Sequence, residues 1–366
     1  MTDTSILFSP VRMGSLDLPN RVLMAPLTRN RAHPDGTPKD MAQTYYAQRA
    51  SAGMILTEAT QVTPMGKGYK DTPGIHDASH VAAWKKITDA VHAQGGRIYM
   101  QLWHVGRISH NSLLPEGQTP QAPSAVAANT KTFTENGFED CSEPHAVTKD
   151  EIDALIEDYR RGAQNAKDAG FDGVEIHSAN GYLIDQFLQD KTNQRDDEYG
   201  GSVENRMRFL RQVIDTVCGV WDRDRVGIRL SPLGQANDIG DSDPEGLFSE
   251  VYKVVSDEKL AYLHVIEEFY GVNTSDEQRD ILRRLRSRYD GFYIANGGYG
   301  ADSAARAIED GHAHAVAFGR DFIANPDLPE RFRQGAELNA QDQSTFYGGD
   351  EHGYTDYPFL DKIRAI

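Results

Sequence analysis

Within six residues the chain places an imidazole, a carboxamide and a phenol: His177-Ser178-Ala179-Asn180-Gly181-Tyr182. The stretch follows an apolar run, so it leaves a strand on a turn. An imidazole N–H and an amide N–H three residues apart can both donate to one oxygen, which is how a carbonyl is polarised. Tyr182 adds a phenol that keeps its proton at neutral pH, its unperturbed pKa being about 10. Taken one at a time each residue has an ordinary structural explanation; the three together point to carbonyl activation with proton delivery.

Two further groups suggest a charged, planar ligand. Arg229 closes the run Val226–Leu230, and a guanidinium at a buried strand end is costly unless it meets an anion or acceptor. Its sequence partners are Glu175 or Glu267 in a structural ion pair, or a cofactor that becomes anionic on reduction. Later come Asn296-Gly297-Gly298-Tyr299-Gly300 and Gly319-Arg320. Glycines let backbone N–H groups approach an anion, and arginine binds phosphate bidentately. They are either a phosphate cradle or plain turns.

The elements that must position these groups alternate. Arg21–Ala25, Met54–Thr57, Arg97–Leu102, Gly173–Ile176, Val226–Leu230, Tyr262–Ile266, Phe292–Ala295 and Ala315–Phe318 read as buried parallel strands. Between them Ala82–Ala93, Lys149–Ala169, Val203–Val217, Pro244–Val255, Asp276–Arg288 and Asp302–Glu309 read as helices. About eight strand–helix units in 366 residues predict one closed (β/α)₈ barrel domain over 1–366. Residues 5–19 are expected to form a hairpin that caps the barrel bottom. Residues 103–147 form a long excursion after the third strand, on the active-site face. The residues ending the strands are then Thr28, Glu58, Gln101, His177, Arg229, Glu267, Asn296 and Gly319.

Composition narrows the class. A formal net charge of -17 is the reverse of a nucleic-acid binder's footprint and disfavours an anionic membrane surface. No apolar run reaches the length of a membrane span, and the first residues lack a secretory signal, so a cytoplasmic protein is expected. Cys141 and Cys218 are read as free thiols, and no metal site is expected. His76 with His80, and His312 with His314, are read as surface residues. The dinucleotide, P-loop, zincin and nucleophile-elbow motifs are absent.

Longer segments carry a resemblance. His177 through Gln186-Phe187-Leu188 to Tyr199-Gly200-Gly201-Ser202-Val203-Glu204-Asn205-Arg206, Ala25-Pro26-Leu27-Thr28-Arg29, Gln101-Leu102-Trp103-His104-Val105-Gly106-Arg107, and Phe346-Tyr347-Gly348-Gly349 with Gly353-Tyr354-Thr355-Asp356-Tyr357-Pro358 resemble the Old Yellow Enzyme family, most of all its classical bacterial ene-reductases. The resemblance spans about Leu7 to Leu360. It implies non-covalent FMN, reduced by NADPH or NADH, on a (β/α)₈ barrel. It implies that Pro26, Leu27, Thr28, Ala59, Gln101 and Arg229 line the flavin ring, with Thr28 tuning its potential and Arg229 favouring the anionic reduced form. Gly297, Gly298, Gly319 and Arg320 hold the phosphate. His177 and Asn180 bind the substrate carbonyl, Tyr182 is the proton donor, and Tyr69, Trp103 and Tyr354 shape the substrate pocket.

The implied reaction reduces the activated C=C bond of α,β-unsaturated aldehydes and ketones, extending to nitroalkenes or nitrate esters. Flavin N5 gives hydride to the β-carbon and Tyr182 gives a proton to the α-carbon. A flavin-dependent isomerase or dehydrogenase on the same barrel, and a non-catalytic redox sensor, stay open as alternatives. A monomer or small homo-oligomer is expected. The sequence departs from the family at Lys131 and His145, where relatives often carry arginines, and at Val265-Ile266-Glu267 and Glu268-Phe269-Tyr270-Gly271-Val272. These departures bear on nicotinamide preference and substrate scope.

Overall fold

A computed structural model describes residues 3–269, 271–272 and 274–360. Eight strands form the barrel: β1 (Val22–Met24), β2 (Ile55–Leu56), β3 (Ile98–Trp103), β4 (Gly173–Ser178), β5 (Val226–Leu230), β6 (Tyr262–Ile266), β7 (Tyr293–Asn296) and β8 (Ala315–Phe318). Each pairs in parallel with the next, β8 pairs with β1, and β3 pairs with β4, so the sheet closes. The predicted (β/α)₈ barrel is therefore present. Closure buries the strands on both faces, which explains why they read as unbroken apolar runs rather than as alternation.

The helices sit where the 3.6-residue pattern puts them. Lys149–Asp168 begins with a capping box, in which Thr148 accepts from the Glu151 N–H while Glu151 reaches back to Thr148. Ile152, Leu155, Tyr159, Ala163 and Ala166 face the barrel and are buried. Gly170, at φ +82, ends the helix in the left-handed conformation. The expected helix 203–217 is broken into Val203–Arg206 and Arg208–Cys218. Local periodicity missed Met41–Ala47, Leu183–Leu188, Arg320–Ala324 and Leu328–Gln334, each too short for a clear period.

Val11–Met13 and Leu16–Leu18 form the expected antiparallel hairpin. Met13 and Leu18 are buried against Leu23, Tyr99, Tyr262 and Ile294, which plugs the lower mouth of the barrel. The long excursion is not bare loop: Lys131–Thr134 and Gly137–Asp140 pair as a second hairpin. Cys141 and Cys218 are both free. Of the histidines expected at the surface, His80 is buried and His76, His312 and His314 are partly buried. His80 is buried with its ring edge-on to His76 at 4.5 Å, and His312 bonds Glu267 at 2.7 Å. His314 accepts the Tyr293 N–H.

The C-terminal segment is strapped to the start of the chain by arginine. Arg29, fully buried, donates to the carbonyls of Phe346 and Gly353, both at 2.8 Å. Arg31 donates to Asp350 and His352. Arg29→Ala would leave these buried carbonyls unpaired, and a loss of about 3–5 kcal/mol of stability is expected by analogy with breaking a buried charged contact. Denaturant unfolding of the wild type and variant checks this; a loss under about 1 kcal/mol would show that the strap is held elsewhere.

Candidate active site

The stretches 101–107 and 177–188 interlock to build the upper rim. Gln186, on the short helix Leu183–Leu188, accepts the Arg107 N–H through Oε1 and donates through Nε2 to the carbonyls of Val105 and Gly181. A Cβ on Gly106 would lie 2.1 Å from Gln186 Oε1, so only glycine lets the two segments meet. Asp185 accepts the Gly181 N–H at 2.8 Å and closes the turn. The turn holds Asn180 at φ +60, a left-handed backbone that asparagine tolerates better than most residues.

His177 ends the inward-facing row of β4, beside Arg229 of β5 in register. Its Nδ1 accepts the Ala179 N–H, which leaves the proton on Nε2 as a free donor. Burial, with the charges of Arg229 and His264, holds its pKa well below the usual imidazole value, so the ring is neutral. Asn180 lines the cavity; its side chain makes no hydrogen bond among the described residues, and its Oδ1 is buried. Tyr182 stands edge-on to both His177 and Trp103, with ring centroids 5.1 Å apart in each case. Its hydroxyl lies 3.0 Å from that of Tyr69. Burial raises the Tyr182 pKa, partly offset by hydrogen bonds from Tyr69 and Asn237.

The floor below is polar and fully buried. Gln101 donates Nε2 to Glu175 at 2.7 Å, and His264 bonds the other carboxylate oxygen at 2.9 Å. The Gln101 amide is thereby turned so that its oxygen is the acceptor left for a ligand. Arg229 donates Nη2 to Asn296 at 2.7 Å, while its Nε has no partner. Burial lowers the Arg229 pKa to about 10, so it stays charged at neutral pH. Of the two sequence partners considered for Arg229, Glu175 acts through its charge without a direct bond, and Glu267 is excluded. Glu267 turns outward and is held by Tyr293, Tyr299 and His312.

Above this floor lies a cavity of about 760 Å³, within the range of cofactor and substrate sites. Ten of the expected residues line it: Pro26, Leu27, Tyr69, Asn180, Tyr182, Arg229, Gly297, Gly298, Gly319 and Arg320. Ala59 and Trp103 pack behind Tyr69 and Tyr182. Thr28 is half-buried next to Leu27. Tyr354 is a correction. It is buried away from the cavity, stacked on Tyr45 at 4.1 Å beneath Arg29 and Arg31. The strap that captures the C-terminal segment also captures this ring, and it cannot shape a substrate pocket.

Gly297, at φ +104, shows why one cavity end demands glycine. A Cβ there would lie 2.1 Å from the Glu268 carbonyl oxygen. The sequence reading missed Ala236 and Asn237 on the wall, and it named Ile266, Phe269 and Val272, which also line it, only as departures from the family. Their only advance signal was position, on loops or ends after strands five and six. Tyr270 lies outside the described residues. Of the departures, Lys131 faces Asp140 on the second hairpin, and His145 bonds Glu151 at 2.8 Å.

Residues 6–339 match the family model described as the NADH:flavin oxidoreductase / NADH oxidase family. The chain is 46% identical to putative 12-oxophytodienoate reductase 6 of Oryza sativa subsp. japonica, over 96% of this chain and 90% of that one. It is 44% identical to 12-oxophytodienoate reductase 1 of the same plant, over 98% and 94%. Among solved structures it resembles morphinone reductase in complex with tetrahydroNAD, with a TM-score of 0.91 and 50% identity over 97% and 98% of the two chains. It also resembles the old yellow enzyme homologue from Zymomonas mobilis, with a TM-score of 0.93 and 43% identity over 97% and 99%.

Proposed function

The chain belongs to the NADH:flavin oxidoreductase / NADH oxidase family, the Old Yellow Enzyme family, and from that premise we propose that His177 and Asn180 hold the substrate carbonyl while Tyr182 gives the proton. The protein is an FMN-dependent NAD(P)H oxidoreductase that reduces activated C=C bonds.

The residues present fit FMN. The unpartnered Arg229 Nε and the turned Gln101 amide offer a donor and an acceptor at the cavity floor. Gly297 and Gly298, both at positive φ, with Gly319 and Arg320, would hold the phosphate. Pro26, Leu27, Thr28 and Ala59 would border the ring. Bound FMN supplies the hydride-transfer chemistry that side chains lack.

The side chains then divide the remaining work. The neutral His177 Nε2–H and the Asn180 amide donate to the carbonyl oxygen, so negative charge growing there is stabilised in a site shielded from water. Tyr182, kept protonated by burial, gives its proton to the α-carbon. Tyr69 presents its ring to the substrate on the cavity wall, backed by Trp103 stacked against it at 5.9 Å. The observation that carries the reading is one constellation: an unpaired amide and a protonated phenol on one cavity wall, with a neutral imidazole edge-on to the phenol.

The reading extends to a single-domain cytoplasmic enzyme, a monomer or small homo-oligomer, acting on small enones and enals without nucleic acid. The acidic net charge of -17 supports the last point. Among the described residues no helix is long and apolar enough to cross a membrane.

An anaerobic visible spectrum tests the function. NADPH is expected to bleach the flavin bands, and 2-cyclohexenone to restore them with a product two hydrogens heavier. A product of unchanged mass would indicate isomerisation, and bands that return only with oxygen would indicate a sensor.

A further inference from the structure

One side chain on the cavity wall belongs to none of the motifs so far given a role. Asn237 sits on the loop after β5, at φ +58. Its Nδ2 donates to the main-chain carbonyl of Asn180 at 2.9 Å. It lines the same wall as Tyr69 and Tyr182, whose hydroxyls bond each other, and its nearby amide lowers the pKa of each. One carboxamide therefore holds the turn that carries Asn180 and Tyr182 and shares the cavity wall with both phenols.

The placement is enforced from both sides. A Cβ on Gly181 would lie 2.7 Å from the Ala236 oxygen and 3.1 Å from Asn237 Cβ, so the loop rests directly on the turn that carries Asn180 and Tyr182. From behind, buried Arg107 donates to the carbonyls of Asn237 at 3.4 Å and Asp238 at 2.8 Å. Asp238 in turn accepts the Asn129 N–H and pairs with Lys191. Such fixing costs backbone freedom at a non-glycine left-handed residue, which is the kind of local strain that gathers at functional sites.

Proton delivery explains what the amide does. The step breaks the Tyr182 O–H bond and forms a C–H bond at the substrate α-carbon. The enolate electron pair makes the new bond, and the negative charge passes to the phenol oxygen. Water later returns the proton. In a buried site that phenolate is unfavourable unless donors face it. Tyr69 O–H is one donor, and the second Nδ2 hydrogen of Asn237, on the same wall, is free to serve as the other.

We propose that Asn237 is a positioning residue for proton transfer, stabilising the phenolate that Tyr182 becomes while holding the Asn180 turn against the cavity. The inference rests on Tyr182 being the proton donor. It also makes the loop after β5 a determinant of how acidic that donor is.

Two variants of the holoenzyme separate the possibilities. Asn237→Gly removes the amide and relieves the left-handed backbone, so folding is favoured. Asn237→Asp keeps the shape and replaces the N–H donor by a carboxylate oxygen. The first readout is ultraviolet titration of Tyr182, taken as the difference between each protein and its Tyr182→Phe counterpart. The second is single-turnover reoxidation of the reduced enzyme by 2-cyclohexenone. Loss of one hydrogen bond to a charged group is expected to move the titration up by roughly one to two pH units and to slow reoxidation roughly 10- to 10²-fold. An unchanged titration and rate in both variants, with Tyr182→Phe still slow, would overturn the inference alone. A Tyr182→Phe enzyme that is not slowed would overturn the proton-donor reading, and the inference with it.

Discussion

Tyr182→Phe is expected to slow reoxidation of the reduced enzyme by an enone roughly 10²–10⁴-fold, the range of a lost general acid. The reductive half-reaction needs no proton from this residue, so the loss should fall on the oxidative side. The ring stays: its edge contacts with His177 and Trp103 do not involve the hydroxyl, and the fold has no reason to change. What disappears is the proton and the bond to Tyr69. The pH dependence follows from the direction of the shift. Burial raises the Tyr182 pKa above the ordinary phenol value of about 10. The protonated phenol is the active form, so activity is retained up to that raised pKa and lost only as pH rises through it. His177 adds no limb near 6.5, because burial keeps it neutral below that point. Stopped-flow reoxidation across pH in both proteins checks all of this. A rate within about threefold of wild type at pH 7 would show that water or another group gives the proton.

Arg229→Ala is expected to lower the flavin reduction potential and weaken flavin binding. The guanidinium is buried, charged at neutral pH, and presents an unpaired Nε at the cavity floor. An anionic reduced ring would gain most from it. Loss of one hydrogen bond to a charged group corresponds to about 1.5–3 kcal/mol, or roughly 10- to 10²-fold in affinity for the reduced form. The variant also leaves Glu175 without its nearest compensating arginine. Its carboxylate is held below the usual range, against burial, by His264, Arg229 and Gln101. A fall in stability of about 3–5 kcal/mol accompanies such an uncompensated charge. Arg229→Lys should recover part of the potential, as a point charge, but not the planar contact with Asn296. Spectroelectrochemical titration reads the outcome; a potential that does not fall removes the electrostatic account of Arg229.

Both effects concern residues whose importance was visible in the chain alone, and the contrast with their surroundings is instructive. His177, Asn180 and Tyr182 were legible because they lie within one turn after a strand, where spacing equals proximity. Gly297, Gly298, Gly319 and Arg320 were legible as candidates for an anion cradle because barrels place anion sites after their last two strands, and all four line the cavity. The partner of Arg229 was not. Glu175 and Glu267 both follow apolar runs, and a strand buried on both faces carries no alternation to say which parity points inward. The structure puts Glu175 and His177 inside, and sends Glu267 out to Tyr293, Tyr299 and His312.

Tyr354 and Asn237 failed for the same reason in opposite directions. Tyr354 sits in a motif that resembles an active-site segment, yet two arginines more than 300 positions away draw its ring under the strap. Asn237 sits in a Gly/Asn/Asp-rich loop with no periodicity, yet Arg107 and Gly181 bring it onto the turn that carries Asn180 and Tyr182. The amino-acid sequence by itself determined the barrel and its cap, through local period, and set His177, Asn180 and Tyr182 on one turn, through short spacing, while the flavin chemistry was carried by the resemblance of its longer motifs to a family. Only the tertiary structure decided which way buried side chains turn and which distant loops complete the site, because those choices are set by long-range packing and hydrogen bonding that no local pattern encodes.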